Sequence, residues 1–334
     1  MTINDFAAME PMKYYNSEAQ NEKRATILEN RNGEYVASEK HDGDWSMCIH
    51  YTKGQNLIRS RSISKVTGAY GDYTAKLPHL TAEMDLWPDN TVVLAEICWN
   101  EYGTNANTVG TILRCLPTKA VERQKTTKLH GLVFDLLMLN GKDYTQAPYY
   151  DRLQLAHAFF CDTFTYFHCT QIFESNFEAA ADEIISKGGE GCVIQRKDNP
   201  YMPGTRTAWK TLKLKQALPH QDVQVVGTLD PIKEYRGDTP DTWQYRIDDE
   251  PVTKPYYMGW KNGIIVRLPS GLTTEITSGL TDDDRAYLAT AAAAERIAAG
   301  ELWAEVKAMS INDLGKLRHG SLVRLRTDLN DKGE

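Results

Sequence analysis

Short runs of alternating apolar and polar residues set the strongest limit on what this chain can fold into. Each run is closed off by Gly, Asp, Asn or Pro, so no segment is long enough for anything but short, half-buried strands and modest helices. Glu34–Lys40, Trp45–Tyr51, Thr91–Trp99, Gly131–Leu139, Gly191–Lys197 and Thr207–Lys215 read as strands. Between them, Ser17–Glu29, Asn107–Gln124, Tyr150–Phe160 and Phe177–Lys187 follow the helical period, the last stopped by Gly188-Gly189. The two kinds of run do not alternate regularly. The predicted class is therefore α+β with antiparallel sheets, not a parallel βαβ array.

The pattern changes after Leu218-Pro219-His220. Asp222–Leu229, Thr242–Ile247, Gly263–Leu268 and Leu322–Arg326 read as short strands. One long helix interrupts them, capped by Thr281, favoured at its start by Asp282, Asp283 and Asp284, and ended by Gly300. A five-stranded barrel of the OB type has about this size and content. With 334 residues there is room for two domains, and the expected division is 1–218 and 219–334.

An apolar share of 41% and a charged share of 25% are those of a globular protein. No run is long and apolar enough to span a bilayer, and Met1–Tyr15 has no basic and apolar leader pattern. A cytoplasmic protein without a membrane partner is expected, in the host cytoplasm if the source is viral. The six cysteines (Cys48, Cys98, Cys115, Cys161, Cys169 and Cys192) form no CxxC and read as small buried hydrophobes, not as disulfides or zinc ligands. The net charge of −7 hides a polarity. Lys53–Lys76 holds five bases against Asp72, and Arg196–Lys215 holds six against Asp198. Asp230–Glu250 holds seven acids against three bases. Basic segments of this kind suit a phosphate-bearing partner.

Lys40-His41-Asp42-Gly43 joins two of the strand runs. Gly43 can make the turn and leave Lys40 at its mouth. A lysine becomes a nucleophile once its ammonium loses a proton, which a cationic neighbourhood or partial burial favours. Taken alone this motif is common. It is followed in order by Ser60-Arg61-Ser62, by Glu96 inside the apolar Leu94–Ile97, and by Phe134-Asp135 inside Val133–Leu137. Glu190-Gly191 and then Lys213-Leu214-Lys215 complete the series. Lys213 and Lys215 alternate along one strand, so both face the same way and repel unless they share an anion. A nucleoside triphosphate is the obvious one.

This order of landmarks resembles the covalent nucleotidyltransferases: DNA ligases, RNA ligases and mRNA capping enzymes. The later segments look like DNA ligases in particular. They are Asp222–Gly227, Ser278–Asp282, Leu317-Arg318-His319-Gly320 and Arg324–Asp328, so the likeness runs from about Glu34 to Asp328. The size is similar to that of compact viral or bacterial ATP-dependent DNA ligases.

The resemblance implies a monomer that seals nicked double-stranded DNA, using ATP and magnesium. Lys40 would become lysyl-AMP. Asp42 would position lysine and metal, and Glu190 would support the metal. Arg61, with Arg59, would contact ribose or phosphate. Glu96 would hold the ribose hydroxyls and Phe134 would stack on adenine. Lys213 and Lys215 would hold the α-phosphate, and Arg326 and Asp328 would orient the departing pyrophosphate.

Some positions depart from that pattern. Trp45 stands where DNA ligases usually carry an arginine, which leaves Arg59 or a base in Lys53–Lys65 to make the phosphate contact. Ser38 stands where an acid is common, with Glu39 beside it as a nucleotide-binding candidate, so adenine selection is expected from backbone contacts. Leu329 follows Asp328 in place of a lysine. Asp135 reads equally as a site residue or a structural one. An RNA ligase, a capping guanylyltransferase and a non-catalytic nucleic-acid-binding module remain the alternatives.

Overall fold

In the computed structural model the chain divides into two compact units, Met1–Gln216 and Ala217–Glu334. The residues described are 1–13, 22–64, 67–99, 106–126, 128–161, 163–206, 209–215, 220–237, 240–308, 310–311, 317–318 and 320–326. The architecture mixes helices with antiparallel sheets.

The first unit is built on eleven strands among its described residues. They are β1 (Tyr35–Lys40), β2 (Asp44–Thr52), β3 (Gln55–Ile63), β4 (Tyr70–Asp72), β5 (Thr91–Cys98), β6 (His130–Leu139), β7 (Lys142–Asp143), β8 (Phe167–Cys169), β9 (Ile172–Phe173), β10 (Gly191–Arg196) and β11 (Thr211–Lys215). The larger sheet has the order β4-β3-β2-β5-β6-β7, with β8 running parallel beside β6. The smaller has the order β11-β10-β1-β9.

Period two explains how both sheets are covered. On β2, Trp45, Met47 and Ile49 pack with Phe6, Met9 and Met12 from the N-terminal segment. Cys48, between them, turns to the opposite core with Val93, Ala95 and Ile97 of β5 and with Leu80 and Met84 of the helix Pro78–Met84. The smaller sheet buries Ala37, Cys192, Ile194, Leu212 and Leu214 against Phe177, Ala181 and Ile184 of the helix Phe177–Ser186. Each of the leucines, isoleucines and the phenylalanine contributes about 1.5–3 kcal/mol on leaving water. The other face of this sheet carries Ser38, Lys40, Val193, Gln195, Lys213 and Lys215, and that parity aims the functional residues.

Several elements differ from the sequence reading. The helix expected over Asn107–Gln124 is two, Ala106–Leu113 and Pro117–Arg123. Proline lacks an N–H and starts a helix more readily than it continues one. Likewise Thr281–Gly300 is two helices, Asp282–Leu288 and Ala291–Ala299, because the Thr290 hydroxyl accepts from the Ala293 amide and caps a fresh start. Thr281 caps as expected, and Gly300 ends the second helix at φ +77°. Of Ser17–Glu29 the described helical part is Glu22–Glu29.

In the second unit, His220–Leu229, Gly263–Arg267, Thr273–Ile276, Trp303–Lys307 and Ser321–Arg326 form a five-stranded antiparallel sheet. Its core gathers Val223, Val225, Ile264, Val266, Ala304 and Val306. Trp303–Lys307 lies beside His220–Leu229, although it was not among the strands read from sequence. Thr242–Ile247 contributes only the two-residue strand Arg246–Ile247. There Trp243 stacks on Tyr235 with ring centroids 4.4 Å apart and donates to the Val252 carbonyl, which draws the segment into a loop. Among the described residues no helix is long and apolar enough to cross a membrane.

Candidate active site

Lys40 is the last residue of β1, opposite Gly191, and Gly191 is in turn opposite Lys215 on β11. Two residues along, Ser38 pairs with Val193 and Val193 with Lys213. Directly opposed residues share a face, so three strands present these side chains to one side. A cavity of about 620 Å³, its open mouth included, lies on that side. Lys40, His41, Lys213, Arg61, Trp45, Glu96, Phe134 and Gln195 line it, together with Ser38, Glu39, Thr170 and Val193. Aromatic and apolar side chains with a few convergent polar groups are the lining of a small-molecule site.

Two glycines of the motifs owe their place to close approach. A Cβ on Gly43 would sit 2.4 Å from the Ile97 carbonyl oxygen and 2.9 Å from Cγ of Glu96. Gly43 was expected for its turn conformation, but its role is to let the β1–β2 turn press on β5. Its amide donates to Oε1 of Glu96 at 3.2 Å. Gly191 has φ +126°, and a Cβ there would meet the Leu214 carbonyl at 2.2 Å.

The charges are arranged tightly. Nζ of Lys40 lies 2.5 Å from Oε2 of Glu190. Burial pushes Lys213 down to about 8, and the neighbouring charges of Lys40 and Arg61 add to this. An anion between these cations would relieve their repulsion. Glu96 is pushed up to about 7, mainly by loss of water, with Lys40 opposing and Asp44 and Glu190 adding to the rise. His41 is driven down to about 4 by burial and by Lys40, which keeps it neutral near pH 7.

The Glu96 shift has a signed consequence. Between its ordinary 4.5 and about 7 the folded state holds a proton that the unfolded chain has released. Stability should therefore fall as pH rises through that window, by up to about 3 kcal/mol above it. Glu96→Gln removes the titration. Thermal unfolding of both proteins at pH 5 and pH 8 should show the variant gaining on wild type at pH 8. An unchanged difference between the two pH values would contradict the raised carboxyl.

Phe134 reaches the cavity through a β-bulge. Leu94 pairs with Asp135 and Ala95 with Val133, so Phe134 is the extra residue on β6. A bulge re-aims its side chain. The next residue is fixed by an ion pair with no solvent exposure on either side. Arg152 donates from Nε to Oδ1 of Asp135 at 2.8 Å and from Nη2 to Oδ2 at 2.9 Å. Asp135, left open by the sequence, is thus structural, and nothing in its motif pointed to Arg152 as partner.

Arg59 requires a correction. It was grouped with Arg61 as a nucleotide contact, but only Arg61 lines the cavity. The Arg59 side chain is buried, and its guanidinium donates to the carbonyls of Phe6, Met9 and Ser60 and lies 4.1 Å from the Tyr70 ring. It fastens the N-terminal segment to the sheet. Arg61 is therefore the described base of Lys53–Lys65 that lines the cavity, with Lys65 outside the described residues.

Asp42 is half-buried in the β1–β2 turn, and Lys215 is half-buried at the end of β11. Neither lines the cavity itself. The Glu39 amide donates to the Gln171 carbonyl at 2.9 Å, and its Oε1 lies 3.6 Å from Nδ1 of His41. In the second unit Arg326 grips both oxygens of Asp222, at 3.0 and 2.9 Å. Asp328 lies outside the described residues.

Thr170 was missed because it comes from the loop between β8 and β9, which carries no motif. Gln195 was quoted only as strand, although it shares its parity with Val193. Cys161 and Cys169 were read as small buried hydrophobes, yet Cys161 is exposed, and the end of a helix and β8 bring their donor atoms within 4.8 Å of those of His157. These groups contact each other and the backbone. Cys161 Sγ is 3.5 Å from Nδ1 of His157, and Cys169 donates to the Ala156 carbonyl.

Residues 17–215 match the family model described as the ATP dependent DNA ligase domain. The chain belongs to this family. Among relatives of this ligase chain, a probable DNA ligase of Dictyoglomus turgidum is 28% identical over 193 residues, 56% of this chain and 32% of the relative. The multifunctional non-homologous end joining protein LigD of Mycolicibacterium smegmatis is 26% identical over 170 residues, 50% of this chain and 20% of that protein. The chain thus covers a third or less of the length of these curated relatives. A solved Lig E DNA ligase has the same fold, with a TM-score of 0.58 at 17% identity, covering 88% of this chain and 93% of the other.

Proposed function

We propose that the chain is an ATP-dependent DNA ligase that seals 5′-phosphate/3′-hydroxyl nicks in duplex DNA. The observation that carries this reading is one cavity lined by an amine nucleophile, Lys40, two further cations, Lys213 and Arg61, the carboxylate Glu96 and the aromatic Phe134. The Lys40 amine attacks the α-phosphorus of ATP, a P–N bond forms, and the bond to pyrophosphate breaks. AMP then passes to the 5′-phosphate of the nick and frees Lys40. The 3′-hydroxyl attacks that phosphate, and AMP leaves.

Lys213 and Arg61 stabilise the charge that grows on the phosphate oxygens. Phe134 stacks on the base and Glu96 takes the ribose hydroxyls. Glu190 holds the Lys40 ammonium until the nucleotide arrives. The carboxylates Glu190 and Asp42 are oxygen donors of the kind a magnesium ion takes, and the ion would supply neutralisation of the triphosphate. We assign 1–218 as the adenylation domain and 219–334 as an OB-fold, a reading that the five-stranded antiparallel sheet supports. Arg326 must leave Asp222 to act on pyrophosphate.

The test is incubation with labelled ATP or GTP, then denaturing electrophoresis, beside sealing of matched DNA and RNA nicks. ATP should label the protein and DNA should be sealed faster. Sealing should drop steeply with salt, because backbone phosphates dominate the contact. Labelling by GTP would move the chain to the capping enzymes, and faster RNA sealing to the RNA ligases. An absence of any adduct would leave the non-catalytic module.

A further inference from the structure

We propose that Gln195 and Thr170 read the edge of the nucleotide base and select adenine. This rests on the ATP reading above. Both side chains line the cavity that Phe134 and Val193 also line. Their residues are 2% and 1% exposed. Yet Oε1 of Gln195 and Oγ1 of Thr170 are buried without a hydrogen-bond partner among the described residues. Such atoms cost stability unless a ligand completes them.

Their orientation is set by neighbours. The Tyr149 hydroxyl donates its proton to the Phe134 carbonyl at 3.1 Å. Gln195 and Ser38 lie near that hydroxyl and partly offset the rise that burial imposes on it. Oε1 of Gln195, a pure acceptor, is the end without a partner among the described residues. Ser38 stands at the position where an acid is usual. The Thr170 amide donates to the Val133 carbonyl at 3.1 Å, which sets its hydroxyl beside the Phe134 bulge.

A base stacked on Phe134 would meet an acceptor and a hydroxyl at its edge. Adenine offers the complement, an exocyclic amine that donates to Oε1 and a ring nitrogen, N1, that accepts from Thr170. Guanine offers a carbonyl oxygen where the amine stood. Two acceptors then face each other, which disfavours GTP. Side chains, not backbone contacts alone, thus choose the base.

The test uses the full chain and three triphosphates: ATP, purine riboside triphosphate, which lacks the 6-amino group, and the 1-deaza analogue of ATP, which lacks N1. The rate of adduct formation is followed against nucleotide concentration. Wild type should favour ATP over each analogue by about tenfold in kcat/KM. Gln195→Met should lose the preference over purine riboside triphosphate, and Thr170→Val the preference over the 1-deaza analogue. Each loss should lie in KM, with kcat little changed. A purely structural role would lower all three substrates together.

If wild type forms the ATP adduct but does not discriminate against the analogues, the base is read elsewhere, and the ligase reading stands without this inference. The inference falls in the same way if the folded variants keep their discrimination. If wild type forms no adduct with any of them, the ATP reading itself fails and takes this proposal with it. The wild-type comparison needs no variant to fold.

Discussion

Lys40→Ala should form no labelled adduct with ATP, a loss of every detectable turnover in the first step, yet it should still seal a nick that already carries 5′-AMP. The chemistry of the cavity requires both halves. Only an amine with a free electron pair can make the P–N bond, and Lys40 stands at the mouth of the β1–β2 turn that Gly43 presses onto β5. Lys213 lies on the same face, two strands away across Val193. Its depressed value of about 8 leaves it partly unprotonated near neutral pH, so it is the natural rival for the nucleophile. The register argues against it, because Lys213 sits in the middle of β11 between cations and is better placed to hold the phosphate than to attack it. Peptide mapping of the adduct separates the two. A labelled peptide containing Lys213, or an adduct that survives in Lys40→Ala, would show that the nucleophile has been misassigned. Gel-resolved sealing of the pre-adenylylated nick completes the measurement, since the final step uses no lysyl adduct.

Asp135→Ala should be the most destabilising single change near the site, by about 3–5 kcal/mol. It leaves the Arg152 guanidinium at 0% exposure beside the carbonyls of Ala147 and Asn199, with its bidentate carboxylate gone. A buried charge stripped of its counter-ion costs far more than the pair itself contributes. Because Asp135 follows Phe134, its loss should also loosen the bulge that aims the stacking ring. The expected drop in unfolding temperature is on the order of 10 °C. Replacing both partners, Asp135→Leu with Arg152→Met, should recover most of it, since no buried charge then remains. Thermal unfolding of the three proteins, with adduct formation by each, decides the matter. A variant Asp135→Ala that unfolds like wild type but forms no adduct would make Asp135 a site residue after all.

These two residues mark the boundary between what was legible and what was not. The alternation in Thr211–Lys215 is enough to put Lys213 and Lys215 on one face and Leu212 and Leu214 on the other, whatever the rest of the chain does. Glu96 stood out as the one acid inside an otherwise apolar strand. It also identified Lys40 as the end of a strand next to a glycine turn. The local capping chemistry of Thr281 was equally visible.

Alternation names a face but not what lies on it. Arg59 and Arg61 have the same parity and the same chemistry, yet Arg59 is claimed by the carbonyls of Phe6 and Met9, about fifty residues earlier, while Arg61 is left to the cavity. Asp135 became structural because the helix Tyr149–Phe160 delivers Arg152 to it. Phe134 became a cavity residue because a bulge breaks the period that would otherwise assign its side. Local sequence determined strands, turns and facing. Burial of a charge and the aim of a bulged ring depend on partners distant in the chain, so only the packed tertiary structure could decide them.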